Sequence, residues 1–330
     1  MKIIMTKSTL SPTGSLLSKA SIGNYRLIRK LGEGFSGSVY EARHKKTGCK
    51  AAVKILSRKL LSQNPKLAKL LADEFKVLNS LNHRFVVKAV DFAESAMFRD
   101  RKAQTSFAAP FLAIEKATRG EFCEMIVETG KLCEESARFY FRQLIETLAF
   151  LHSQGLAHRD IKPENMLLDD QLNLKLIDFA FANPIGSEPL QLVGTEGYLP
   201  PEVFFTKQVN LRKADIFAAG VVLFVMLKGI PPFNSSRKED PYYQLLARDP
   251  KLFWEWQSKV NPITEVTHPL KQLLEGMLHP NPNLRWGLAE ITKNAWFLTP
   301  LDERYVRSQM KMKSELLSTI RVRKNTGNYI

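Results

Sequence analysis

Gly32-Glu33-Gly34-Phe35-Ser36-Gly37 places three glycines, Gly32, Gly34 and Gly37, in one short turn. The residues that follow, Ser38-Val39-Tyr40-Glu41-Ala42, alternate and are β-prone, so the glycines belong to the tip of a hairpin. A dinucleotide-binding turn would instead open into a helix. A hairpin tip without side chains can lie close over phosphates, its backbone N–H groups aimed at the anion; an ordinary glycine-rich turn is the alternative. Lys54 follows inside the apolar run Ala51-Ala52-Val53-Lys54-Ile55-Leu56. A buried ammonium is costly unless a negative charge meets it. Glu74, on the next helical stretch, is the natural partner, and the pair could fix a contact to an ATP phosphate; a surface lysine and a surface glutamate are the alternative. Farther along stands His158-Arg159-Asp160-Ile161-Lys162-Pro163-Glu164-Asn165, and after it Ile177-Asp178-Phe179-Ala180.

The elements that must carry these residues fall into two groups. From Tyr25 to about Phe92 the chain alternates like strands: Arg26–Leu31, Ser38–Ala42 and Ala51–Leu56. One helical stretch interrupts them, with Leu67, Leu70, Leu71, Phe75, Leu78 and Leu81 at helical spacing. The polar segment from Glu94 to Ser106 reads as a long loop, and Phe111–Ile114 as a further strand. After Gly120 helices dominate. Ser136–His152 is amphipathic, Leu156–Asp178 is a short β-like patch, Ala214–Leu227 is apolar, and Pro269–Leu278 and Leu288–Phe297 are helical. Strands first and helices second predict an α+β protein of two lobes with a cleft between them.

The order of the motifs resembles the eukaryotic protein kinase family: glycine-rich turn, Ala52-Val53-Lys54, Glu74, the H-R-D-x-K-P-E-N loop, the Asp178-Phe179 pair, Gly194-Thr195, then Pro201-Glu202. The resemblance covers about residues 25–297. It implies a bilobal protein kinase-like fold, with a small β-rich lobe at about 25–115 and a larger helical lobe at about 120–297. It implies transfer of the γ-phosphate of ATP, with Mg²⁺, to a protein hydroxyl. Such a reaction needs positioning and charge neutralisation rather than covalent chemistry. Asp160 would take the proton of the substrate hydroxyl, and Lys162 would reach the transferring group and mark a serine/threonine enzyme. Asn165 and Asp178 offer Mg²⁺ the hard oxygens it prefers. Gly32, Gly34, Gly37, Val39, Ala52, Lys54, Glu74, Glu115, Ala117 and Glu121 would bind the nucleotide, with Ile114 as gatekeeper. Thr195 would buttress the catalytic loop, Glu202 would pair with Arg285, and Asp215 would hold the loop backbone. Glu121 and Glu164 together suggest a preference for basic residues upstream of the target serine or threonine; two solvated surface acids are the alternative.

Three departures from the family pattern matter. Ala180 stands where the family has glycine, and an L-residue at positive φ costs roughly 1–2 kcal/mol. A pseudokinase scaffold with weak or no phosphotransfer is therefore the rival reading, although all the charged catalytic groups are present. Between Asp178 and Glu202 the only hydroxyl residues are Ser187, Thr195 and Tyr198, and the usual activating phosphosite is Gln191. Activity without phosphorylation of this segment is expected, with Glu188 as a weaker anion. The segment Ala93–Ala109 is longer than the usual strand connection. The motifs around Gly194 to Tyr198 are closest in feel to the calcium/calmodulin-dependent-like group.

Composition sets the outer bounds. The chain has 330 residues, 44% hydrophobic and 25% charged, which excludes a mainly disordered or collagen-like protein. With 48 Lys and Arg against 33 Asp and Glu, the formal charge is +15. Phosphates, acidic partners and anionic lipid all fit such a charge. Nucleic acid is not expected, because no nucleic-acid motif accompanies it. Three cysteines, none in a C-x-x-C pair, read as reduced thiols of a cytoplasmic protein, with the nucleus as a second location. The longest apolar run, Ile216–Leu227, is too short to span a bilayer. Residues 1–24 read as a mobile tail, and 298–330 as a basic C-terminal tail beyond the fold. Val306, Met310, Leu317 and Ile320 share one face of that tail. The face suits a calmodulin-like partner, a membrane surface, autoinhibition, or packing on the large lobe.

Overall fold

A computed structural model describes residues 20–34, 37–187, 193–206, 208–260 and 266–326. The chain divides into two units between Thr118 and Arg119, and again between Ser318 and Thr319.

The first unit is built on β1 (Ala20–Ile22), β2 (Tyr25–Gly34), β3 (Gly37–His44), β4 (Lys50–Ile55), β5 (Ala89–Asp100) and β6 (Thr105–Glu115), with α1 (Arg58–Gln63) and α2 (Lys66–Ser80) after β4. The strands are antiparallel in the order β1-β2-β3-β4-β6-β5, and β1 also pairs with β5. Alternation decides which rows face inward. Ile22, Tyr25, Leu27, Ala42, Ala51, Val53, Phe111 and Ala113 form one buried cluster, while their sequence neighbours point away from it. Ser57 starts α1, its hydroxyl accepting from the Leu60 N–H at 3.2 Å. Helix α2 turns Leu67, Leu71, Glu74 and Leu78 inward, and Phe75 stacks on Phe92 at 4.9 Å.

Two sequence expectations fail here. Ala20–Ile22 is a strand paired on both edges, not part of a tail; residues 1–19 lie outside the described residues. The segment read as a long loop from Glu94 to Ser106 is the extended hairpin of β5 and β6, closed by a turn through Gln104 at φ 52°. Its polarity hides it. Backbone pairing to β1 and β6 holds it on both sides, and Phe98 stacks on Phe107 at 4.8 Å.

The second unit begins with β7 (Gly120–Glu121), α3 (Phe122–Thr129) and α4 (Glu134–Ser153). Four short strands follow: β8 (Leu156–Ala157), β9 (Met166–Leu168), β10 (Leu174–Leu176) and β11 (Asn183–Pro184). Then come α5 (Leu211–Lys228), α6 (Pro241–Arg248), α7 (Pro250–Val260), α8 (His268–Met277), α9 (Leu288–Ile291), α10 (Ala295–Leu298) and α11 (Glu303–Thr326), whose residues from Thr319 onward belong to the first unit. The apolar helix is α5, capped by Asn210 and ended by Gly229 at φ 75°. It is buried on all sides, which is why it lacks a polar face. Among the described residues no helix is long and apolar enough to cross a membrane.

The C-terminal tail is part of the fold. Val306, Met310 and Leu317 of α11 are buried within the second unit. Arg307 donates to the Gln171 carbonyl at 2.6 Å, and Lys313 to the Thr129 and Gly130 carbonyls at 2.8 and 2.9 Å. Three of the four residues of the face set aside for a calmodulin-like partner or a membrane are therefore covered by the protein itself, and Ile320 is half-buried.

Candidate active site

The first unit gathers the glycine-rich turn and Lys54 by strand register. Gly32 lies opposite Val39 and Val39 opposite Lys54, while Ala52 is paired with Ile114. Because side chains alternate, Val39, Ala52 and Lys54 share one face. A Cβ at Gly32 would meet nothing within 4 Å, so this turn keeps open space beside its backbone. Gly37 is different. It sits at φ 131°, and a Cβ there would lie 2.6 Å from the Ile55 carbonyl oxygen, so only glycine lets β3 start so close to β4. Gly34 is the last residue of β2, and the tip itself, Phe35 and Ser36, lies outside the described residues. Lys54 Nζ is 2.8 Å from Glu74 Oε2, both side chains largely shielded from water. Near the end of β6, the Glu115 carboxylate accepts from the Lys88 N–H at 3.1 Å, and Ala117 is buried.

In the second unit the catalytic loop folds around Asp160. Lys162 Nζ stands 2.7 Å from Asp160 Oδ2 and donates to Thr195 Oγ1 at 2.7 Å. The Thr195 hydroxyl donates to Asp160 Oδ1 at 3.0 Å. Asn165 uses its amide group twice on Asp160, on Oδ2 at 2.9 Å and on the backbone carbonyl at 2.8 Å. With both amide hydrogens engaged there, the Asn165 carbonyl oxygen is what this side chain can offer a cation. An ionised carboxylate has about two acceptor sites on each oxygen, so Asp160 Oδ1 keeps capacity for one more hydrogen.

Asp215, at the start of α5, holds the loop from beneath. Its Oδ1 accepts from the Arg159 N–H at 2.9 Å and its Oδ2 from the His158 N–H at 2.9 Å. His152 Nε2 lies 3.0 Å from Oδ2; a carboxylate only accepts, so that nitrogen carries the hydrogen. Arg159 sits at φ 70°, a strained conformation that this carboxylate fixes. His158 links the loop to the next segment. Its Nδ1 accepts from the Asp160 N–H at 3.3 Å, which leaves Nε2 to donate to the Ile177 carbonyl at 3.1 Å. The Phe179 ring, 1% exposed, meets the His158 ring edge-on at 4.8 Å. Asp178, between them, is at φ 62°, whereas Ala180 is not among the non-glycine residues with positive φ.

The segment up to Glu202 is tied to the same loop. Gly194 is at φ 110°, and a Cβ there would come within 2.8 Å of the Arg159 carbonyl oxygen. Glu202 and Arg285 form a buried two-pronged pair at 2.7 and 2.8 Å. Gln191 and Glu188 lie outside the described residues. Glu164 is half-buried, and burial pushes its carboxyl up, with Lys162 opposing and Asp160 adding to the shift. Glu121, Glu124 and Glu164 all raise the neighbouring Cys123 thiol, whose burial raises it most. Three carboxylates therefore cluster around this part of the second unit. Among the described residues no group of three or more His, Cys, Asp or Glu could hold a metal by itself. The side-chain oxygens of Asn165 and Asp178 fit Mg²⁺, which takes one or two protein oxygens and completes its shell with phosphates and water.

Sequence reasoning passed over His152, which showed no ligand spacing. Its partner Asp215 is 63 residues away, and only the packing of α4 against α5 brings the two together.

A family model described as "Protein kinase domain" matches residues 25–297. CBL-interacting protein kinase 33 of Oryza sativa subsp. japonica is 34% identical over 284 residues, 84% of this chain and 58% of the relative. CBL-interacting serine/threonine-protein kinase 9 of Arabidopsis thaliana is 31% identical over 288 residues, 85% of this chain and 59% of the relative. The carbon catabolite-derepressing protein kinase of Candida tropicalis is 35% identical over 279 residues, covering 84% and 41%. The chain thus spans about half the length of the curated relatives it matches.

Proposed function

The chain belongs to the protein kinase domain family, and from that premise we propose that it is a serine/threonine protein kinase, transferring the γ-phosphate of Mg-ATP to a protein hydroxyl. The observation that carries this reading is the shared hold of Lys162 and Thr195 on Asp160, with 2.7 Å from the ammonium to both the carboxylate and the hydroxyl. These two groups aim the Asp160 carboxylate, and Oδ1 has room to accept the hydrogen of an incoming serine or threonine. A base positioned in this way contributes about 10²–10⁴-fold. Lys162 is placed to follow the developing charge on the transferring group. Lys54, fixed by Glu74, would meet a nucleotide phosphate. Asn165 and Asp178 would hold Mg²⁺, which supplies charge neutralisation at the phosphates. Gly32, Gly34, Gly37, Val39, Ala52, Glu115, Ala117 and Glu121 are assigned to the nucleotide, as the family resemblance implies.

The carboxylates of Glu121, Glu124 and Glu164 around Cys123 favour a protein substrate with basic residues near its target hydroxyl. The replacement of the usual phosphosite by Gln191 favours activity without phosphorylation of that segment. The printed names of the rice and Arabidopsis relatives point to an interacting protein as a further kind of partner. Three cysteines, none in a C-x-x-C pair, favour a reducing compartment, the cytoplasm or nucleus.

The test is a serine/threonine peptide library incubated with labelled Mg-ATP, wild type beside Asp160→Asn. Labelling of basic-flanked peptides by the wild type alone supports the reading. Equal labelling of both, or none by either while nucleotide still binds, supports the scaffold alternative.

A further inference from the structure

The outer surface of the first unit carries a line of positive charge that the reaction does not use. Register places Arg99 of β5 opposite Ser21 of β1, Ser21 opposite Arg26 of β2, Arg26 opposite Arg43 of β3, and Arg43 opposite Lys50 of β4. Directly paired residues point to the same face of a sheet. The neighbouring row, Leu27, Ala42 and Ala51, is buried, so this row faces out; its four basic residues are exposed. Arg43 donates to the Gly48 carbonyl, but none of the four is in an ion pair among the described residues. Lys45 and Arg101 stand at the β5 end. Partial burial, and after it Arg99 and Arg101, hold the Lys45 ammonium below the ordinary lysine range.

Like charges set directly opposite each other weaken a sheet. A run of them across adjoining strands, without an acid in the row, is not explained by stability. It also stands apart from the nucleotide residues. Arg43 and Lys50 are four residues along their strands from Val39 and Lys54, about 13 Å.

We propose that this row is a docking line for an extended acidic polypeptide segment of a partner protein. Its dimensions favour that occupant. Strands are spaced about 4.8 Å apart, so four steps give a line about 19 Å long and one side chain wide. An extended peptide of about six residues has that length. A bilayer fits less well. Adjacent strands rotate by roughly 20–25°, so the two ends of the row diverge by about 80–100°, and a plane cannot meet all four cations. A flexible chain can follow the turn. Single-stranded nucleic acid is also flexible, but it needs aromatic platforms for its bases, and the row holds none.

The experiment measures fluorescence anisotropy of a labelled ten-glutamate peptide with the full chain, in three forms. These are the wild type, Arg26→Gln/Arg43→Gln/Arg99→Gln, and a control, Lys251→Gln/Lys259→Gln/Lys311→Gln, whose exposed lysines lie in the second unit. The control removes the same net charge. Binding in the row variant is expected to weaken at least tenfold, and in the control less than threefold. The row variant should also unfold at a temperature no lower than the wild type, because relieved repulsion replaces lost contacts; this separates lost docking from lost folding. Phosphatidylserine vesicles and a twenty-nucleotide oligo-dT are run in parallel. Equal weakening in both variants, which assigns the effect to net charge, overturns the proposal. So does row-dependent binding of the vesicles or the oligonucleotide without row-dependent binding of the peptide. The readout does not require catalysis, so it stands or falls separately from the kinase assignment.

Discussion

Replacing Asp215 by asparagine tests whether one buried carboxylate holds the catalytic loop. The side chain is 1% exposed and serves three donors: Arg159 N–H on Oδ1, and His158 N–H and His152 Nε2 on Oδ2. Asparagine keeps the shape but offers one acceptor oxygen and one NH₂. In either orientation a buried N–H then faces an N–H. A hydrogen bond to a charged group contributes about 1.5–3 kcal/mol, and a buried donor left unsatisfied costs about 1–3 kcal/mol. Because the two effects overlap at the same donors, a loss of about 2–4 kcal/mol is expected. At roughly 2–4 °C per kcal/mol for a domain of this size, Tm falls by about 4–16 °C. The same carboxylate fixes Arg159 at φ 70°, one residue before Asp160. Releasing it displaces the base, and a misplacement near 1 Å can cost about 10² in rate. Initial rates measured well below the variant's Tm should show kcat down about 10–100-fold with KM for ATP little changed. An unchanged Tm would refute the three-donor account. A lowered Tm with wild-type kcat would show that the loop is positioned by something else.

Arg285→Met leaves Glu202 as a lone buried carboxylate, so about 3–5 kcal/mol of stability should be lost in a urea titration, and most of it regained in Arg285→Met/Glu202→Leu. Glu164→Gln carries a sign that depends on pH. Burial raises the folded-state pKa of Glu164, so its contribution to stability is complete below the ordinary glutamate pKa and is lost as pH rises through the raised value. The variant should therefore match the wild type in acid and melt at a higher temperature near neutral pH, as followed by thermal scans across pH. Ala180→Gly should lower Tm slightly and leave kcat within about twofold, because glycine adds freedom to the unfolded chain worth about 0.4–1 kcal/mol.

The motifs were legible because each is local. The glycine-rich turn, Lys54 in its apolar run and the eight residues from His158 to Asn165 announce themselves within a few positions. The ties among them were only partly legible. Lys54 to Glu74 follows from the cost of a buried ammonium, whereas His152 to Asp215 joins two helices with no spacing to link them. The β5–β6 hairpin was missed because cross-strand pairing, not hydrophobic alternation, sustains a polar strand. In the C-terminal helix, Val306, Met310 and Leu317 of the face expected from the sequence are buried and Ile320 is half-buried. What that face meets, the interior of the second unit, is a tertiary fact. The cationic row was equally hidden, since its residues come from four separated strands and register alone aligns them.

The alanine at position 180 shows how a family pattern can point to strain at the wrong residue. A glycine there suggests that the backbone needs left-handed freedom at that place. In this protein the left-handed residue is Asp178, at φ 62°, two positions earlier. Aspartate tolerates that region better than most L-residues. Its flanks hold it there: the Ile177 N–H donates to the Asn165 carbonyl at 3.0 Å, the Ile177 carbonyl accepts from His158, and Phe179 is buried against the His158 ring. Burying a phenylalanine is worth about 1.5–3 kcal/mol, enough to offset the roughly 1–2 kcal/mol cost of the strained carboxylate. Position 180 is then free of any demand that a Cβ would violate, and alanine narrows the unfolded ensemble at no cost to the folded one. The conformation of the metal-binding candidate is set by what grips it on either side, not by the residue that follows.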